Sequence, residues 1–194
     1  LRAETLNEIT TVTSKTIVKK LEVVAQTNMT ISGEDFKKPT FILNSLSKAM
    51  IKLNSNKMTK AVINAQAAVN NIIFSGNHAK SSIVNGEDGK EQIKIQRASE
   101  LTGKSTMKLG TNKDKVILDG IIHKLKINNG KDTSKDTITI SNTDNIQRRL
   151  EISNFGEEDR LLIENSTFSY NDVKTQATKK YLKDLGIAID LISE

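Results

Sequence analysis

The chain contains no cysteine and no tryptophan, a single proline, and only 4% aromatic residues. Without cysteine there is neither a disulfide framework nor a thiolate metal site. A compact globule fills its centre with large rings; with so few of them, a thin core lined by Ile, Leu and Val is expected instead. The hydrophobic fraction of 36% sits below the roughly 45–50% usual for soluble domains. No apolar run reaches the ~18 residues that a membrane-spanning helix needs, so none is expected. His78 and His123 are the only histidines, and neither lies at a spacing typical of a metal pair. Nucleophilic and acid–base catalysis therefore find little support in the sequence, although a carboxylate pair of the kind β-helical glycosidases use is assembled across coils and leaves no motif. The chain is expected not to be an enzyme and to take no small-molecule substrate.

What fills the sequence instead is Asn, Thr, Ser and Lys, with a net charge of +6. A basic surface can meet nucleic acid, anionic lipid or an acidic protein. The lysines are spread along the chain without interleaved aromatics, which predicts a solvated Lys-rich surface rather than a nucleic-acid face. The first residue, Leu1, is not methionine, which suggests a processed chain or one whose start is missing.

The apolar residues recur in short clusters, among them residues 50–53, 71–74, 92–95, 115–118, 137–140 and 160–163. Most alternate apolar with polar, as strands covered on one face do. Four clusters share a tighter signature: an acid, any residue, apolar, any residue, apolar. They begin at Glu91, Asp114, Asp136 and Asp159, so that the acids are 23, 22 and 23 residues apart. A second cluster falls in each interval, at 106–109, 124–127 and 149–152. This pattern predicts an all-β fold, an irregular β-solenoid or β-roll with about 22–23 residues and two strands per coil. Asn85-Gly86, Gly110, Asn128-Asn129-Gly130 and Asn154-Phe155-Gly156 follow strands, and Gly or Asn tolerate the positive φ of a tight corner.

The ends read differently. Residues 1–40 are expected to form an N-terminal extension. Within it the β-branched segment 16–25 could pair as a strand with another subunit, although Leu6, Ile9, Thr13 and Ile17 also fit a helical face. Residues 33–40 hold Pro39 and read as a turn or linker. The solenoid is expected over 41–170. From about Thr175, Tyr181, Leu185, Ala188 and Ile192 recur at helical spacing, predicting an amphipathic capping helix within 171–194.

The stretch Gly110-Thr111-Asn112-Lys113-Asp114-Lys115-Val116 follows the pattern G-G-x-G-x-D-x-φ-x with Asn at one glycine position. In this, residues 110–173 resemble the calcium-binding β-roll repeats of the secreted repeats-in-toxin family, with residues 150–161 similar to the segment that closes them. The resemblance implies a β-roll and Ca²⁺ shared between turns, with Asp114, Asp136 and Asp159 as its ligands. Glycine doublets are missing here and the coils are longer. Read without the resemblance, the same acids are turn residues bonding nearby amides or lysines.

Residues 98–105, Ala-Ser-Glu-Leu-Thr-Gly-Lys-Ser, match a relaxed phosphate-loop pattern. That mechanism needs a helix starting at the lysine, whereas Thr106-Met107-Lys108-Leu109-Gly110 reads as a strand and a turn. Repeat architecture without catalytic groups predicts a structural protein that self-associates into a virion, surface layer or extracellular filament, with an extracellular, cell-surface or virion location. The alternative is a calcium-dependent secreted adhesin or binding module, whose cofactor would be calcium.

Overall fold

In the computed structural model, residues 2–192 are described except 7–9, 20, 26, 45–47, 67 and 77. The chain winds into a β-solenoid. Its strands are short because each coil turns three corners, and they stack in parallel on the equivalent strands one coil away.

Three faces run the length of the solenoid. The first stacks Arg2–Leu6, Glu22–Ala25, Thr40–Leu43, Val62–Ala65 and Ile83–Gly86, then residues 104–108, 124–128 and 149–153, and finally Ile187–Leu191. The second carries Val69–Phe74, Lys90–Ile95, Lys115–Leu118, Thr137–Ile140 and Arg160–Ile163, reached from the N-terminal side through the first parts of Thr10–Val18, Met29–Lys37 and Lys48–Thr59. The third face is narrow: the ends of those three long strands, then His78–Lys80, then the beginnings of Glu100–Lys108 and Ile121–Asn128.

The sequence predicts two strands per coil, and the structure has three. The third contributes a single inward side chain per coil: Phe36, Met58, Ala79, Leu101 and Ile122, all buried. A segment of two or three residues is too short for alternation to show. The solenoid also begins earlier than expected. Glu22–Ala25 and Met29–Lys37 pair in register with Thr40–Leu43 and Lys48–Thr59, so coils run through the segment read as an extension. Leu6, Thr13 and Ile17 lie in strands, and Ile9 falls outside the described residues.

The core is a set of stacked columns. On the second face Ile31, Leu53, Phe74, Ile95, Leu118, Ile140 and Ile163 lie in register, each buried. Burying one such side chain contributes about 1.5–3 kcal/mol, and a coil gains most of that only when its neighbours cover it. Phe36, Phe41, Phe74 and Phe155 are fully buried and fill the interior that Ile, Leu and Val leave.

The C-terminal end is closed. Ser166–Ser169 folds back antiparallel on Arg160–Ile163. Two short helices follow, α1 (Tyr170–Lys174) and α2 (Gln176–Asp184). Ser169 and Asp172 form a capping box on α1, and the Thr175 hydroxyl accepts the amide of Thr178 to cap α2. Tyr170, Val173 and Leu182 turn inward and are buried, plugging the core. The helix thus starts where the periodicity places it but ends at Asp184. Beyond it Ile187–Leu191 is a strand on the first face, because Gly186, at φ +75°, turns the chain back onto the solenoid.

Candidate functional site

The acids of the sequence signature form one buried column at the start of the second face. Asn70, Glu91, Asp114, Asp136 and Asp159 are each at most 3% exposed. The column has a repeating bond: Oδ1 of Asp114 accepts the backbone amide of Glu91 at 2.7 Å, Oδ1 of Asp136 that of Asp114 at 2.9 Å, and Oδ1 of Asp159 that of Asp136 at 2.9 Å. At the N-terminal end of the column, Asn70 Nδ2 donates to Glu91 Oε1 at 3.0 Å. At the other end Asp159 Oδ2 accepts from Asn129 Nδ2 at 2.9 Å and from the Gly156 amide at 2.8 Å. Each of the three aspartates therefore satisfies a backbone amide of the previous coil, whereas Glu91 accepts from the Asn70 side chain.

Burial costs a charged carboxylate its hydration, and four stacked acids also repel one another. Desolvation pushes Asp136 up to about 8, with the charges of Asp159, Asp114 and Asp132 adding to it against the bond from the Asp114 amide. Burial likewise raises Glu91, Asp114 and Asp159. Glu91 Oε2 and Asp114 Oδ2 are buried without a hydrogen-bond partner.

Of the three residues that the β-roll resemblance marks for calcium, all three lie in this column, and each spends one oxygen on a backbone amide. Among the described residues no group of three or more His, Cys, Asp or Glu is placed to hold a metal ion. Glu157 and Glu158, which adjoin Asp159 in sequence, are exposed. They line a cleft of about 290 Å³ with Asp132, Ser134 and Tyr170, while Asp159 turns into the core.

The corners themselves are specific. Gly110, which opens the β-roll-like stretch, lies so close to the previous coil that a Cβ would stand 1.3 Å from the Glu87 carbonyl oxygen. Gly130 follows it one coil on, at φ +86°, with its own Cβ position 2.3 Å from the Gly110 oxygen. At another corner Lys38, Lys60 and Ser81 stand at φ +52°, +55° and +53°, and Gly103 continues them at +67°. Lysine in that role is not a turn signal, so the sequence does not reveal this corner.

One constellation has no motif to announce it. His78 Nδ1 lies 2.7 Å from Glu100 Oε2 and His123 Nε2 lies 2.5 Å from Glu100 Oε1, so both histidines of the chain meet one carboxylate across three successive coils. The coil spacing of 22 and 23 residues between them is the signal that could have found it. The phosphate-loop-like residues Lys104 and Ser105 lie within the strand Glu100–Lys108, with no helix to present amides to a phosphate. Compared with family models, curated proteins and solved structures, the chain matches none.

Proposed function

We propose that this chain is a non-catalytic structural protein of a virion, surface layer or extracellular filament, and that it works by association with further copies of itself through the N-terminal end of the solenoid. The observation that supports this is that strands at the ends of the stack are paired on one side only, Ile187–Leu191 among them. At the C-terminal end α1 and α2 plug the core and Ser166–Ser169 covers the second face. At the other end Arg2–Leu6 and Thr10–Val18 pair only on their inner sides among the described residues. Strand edges of this kind take up further strands. Pairing between two N-terminal ends is a two-fold contact that closes on itself.

Sedimentation of the purified chain over a concentration series tests this. A dimer that dissociates on dilution, and that is lost when proline replaces Val12 or Thr13, is the expected result. The two prolines are tested separately, because alternate residues of a parallel strand bond alternate neighbours. A monomer at every concentration, examined also by electron microscopy for larger arrays, overturns the reading.

A further inference from the structure

We infer that the first face of the C-terminal coils binds an extended polyanion of the sulfated or carboxylated polysaccharide class. Lys104, Lys124 and Arg149 lie directly in register on three consecutive coils. Stacked strands are about 4.8 Å apart, and like charges opposite one another at that spacing destabilise a sheet. Lys126, one step along the same face, is exposed as well. The lone acid beside them, Glu151, is bound to Arg149 at 3.1 Å. Among the described residues none of the lysines has a carboxylate within salt-bridge distance.

The second face shows what an ordinary solvated arrangement looks like in this fold. There Lys52 and Lys94 are separated by Ile73, and beyond Lys94 the column continues with Ile117 and Thr139. Neutral side chains alternate with the cations and keep them apart. On the first face, by contrast, Lys104, Lys124 and Arg149 follow one another on three coils with no neutral residue between them, a charge density that a bound anion would neutralise.

The surface is also shaped for a chain. A shallow cleft of about 220 Å³ runs between Lys104, Lys124 and Lys126. At the C-terminal end it gives way to a cleft of about 450 Å³ where Arg148, Lys179 and Lys183 surround an apolar floor that includes Leu182 and Ile187. The groups thus form a track along the solenoid axis. A nucleic acid would need rings for its bases or an element that enters a groove. The phenylalanines at 36, 41, 74 and 155 are buried, and the exposed ring of Tyr181 is stacked on Phe168 at 5.9 Å and lies on α2, away from Lys104 and Lys124. The stretch from Lys104 through Lys124 to Arg149 is flat strand. A polyanion without bases to read is the better chemical match, and this inference stands apart from the association of N-terminal ends.

The test uses the full chain and heparin as the probe, by titration calorimetry at several salt concentrations. One variant combines Lys104→Gln, Lys124→Gln and Arg149→Gln. Its control combines Lys52→Gln, Lys94→Gln and Lys115→Gln, which changes net charge equally on the second face. Both are first shown to melt cooperatively. The first-face variant is expected to lose about tenfold or more in affinity and to show a shallower salt dependence, with the control changed less than about twofold. Equal losses in the two variants, or no heparin binding by the parent, overturn the inference. So does duplex DNA displacing heparin from the same face with equal strength, which would reassign it to nucleic acid.

Discussion

Asp136 Oδ1 accepts the backbone amide of Asp114 at 2.9 Å, joining residues 22 positions apart in sequence. The bond makes an acidic side chain part of the main-chain scaffold, and the same relationship recurs between Asp114 and Glu91 and between Asp159 and Asp136.

Removing that acceptor leaves a buried amide without a partner, which costs about 1–3 kcal/mol. Asp136→Ala is therefore expected to lower the unfolding free energy by about that amount. Asp136→Asn keeps the carbonyl oxygen and drops the ionisable group, so near pH 6 it should stay within about 1 kcal/mol of the parent. Urea denaturation of both variants decides the matter. Equal destabilisation would mean that the carboxyl group itself, not its acceptor oxygen, holds the corner.

The raised carboxyl groups set the sign of the pH dependence. A group whose folded-state value lies above its unfolded value binds more protons in the native state, so stability falls as pH rises between the two. For Asp136 that window runs from the ordinary value of 3.8 to about 8, and Glu91, Asp114 and Asp159 shift in the same direction. The protein is expected to melt at a higher temperature at pH 5 than at pH 9. Asp114→Asn and Asp136→Asn together should flatten the profile. A melting temperature that rises from pH 5 to pH 9 would refute the account.

Calcium binding and proton binding make opposite demands on this column. A cation needs the carboxylates ionised and their oxygens turned to a common point, whereas the amide bonds turn Oδ1 of Asp114, Asp136 and Asp159 each to its own neighbour. Millimolar calcium or excess EDTA at pH 7 is therefore expected to leave the circular dichroism spectrum and melting temperature unchanged. Folding that requires calcium would restore Asp114, Asp136 and Asp159 as ligands.

The acid column was legible because its residues combine a fixed period with a chemical type that rarely tolerates burial. The apolar alternation of 92–95, 115–118, 137–140 and 160–163 gave the second face for the same reason. The third face was not legible, since one buried residue such as Ala79 or Leu101 per coil leaves no pattern. Nor was the direction of the acids: the signature places Glu91, Asp114, Asp136 and Asp159 at one point of the coil, but only stacking turns them inward. The C-terminal strand was hidden because Ala188 and Ile192 extend the helical spacing of Tyr181 and Leu185 past the turn at Gly186.

The corner formed by Lys38, Lys60 and Ser81 holds L-residues in left-handed backbone, at about 1–2 kcal/mol each. Lys60→Gly should relieve that strain at φ +55° and raise stability by about 0.5–1 kcal/mol after the entropic penalty of glycine. The neighbouring Ala61→Gly, at a buried position, should lower it. Calorimetric melting of the two variants gives the comparison, and a destabilised Lys60→Gly would place the aliphatic stem of the lysine, rather than the backbone, in charge of this corner.

Gly110 is held for a different reason, lack of space. A methyl group there would overlap the Glu87 carbonyl at 1.3 Å, and the clash is with backbone, which cannot swing aside. Any shift of Gly110 also carries its own carbonyl into Gly130, whose Cβ position already lies 2.3 Å from it. Gly110→Ala is thus expected to cost more than about 3 kcal/mol, the range reached by overpacking at a site that cannot relax. Gly156→Ala provides the contrast: its Cβ would meet the Ile192 Cδ1 at 3.3 Å, the far end of a flexible side chain, and should cost less than about 1 kcal/mol. Urea denaturation of the pair separates the causes. Similar losses at both positions would mean that these corners need glycine for its flexibility in general. A large loss confined to Gly110 would identify the stacked carbonyl contact from Glu87 through Gly110 to Gly130 as what fixes the distance between coils.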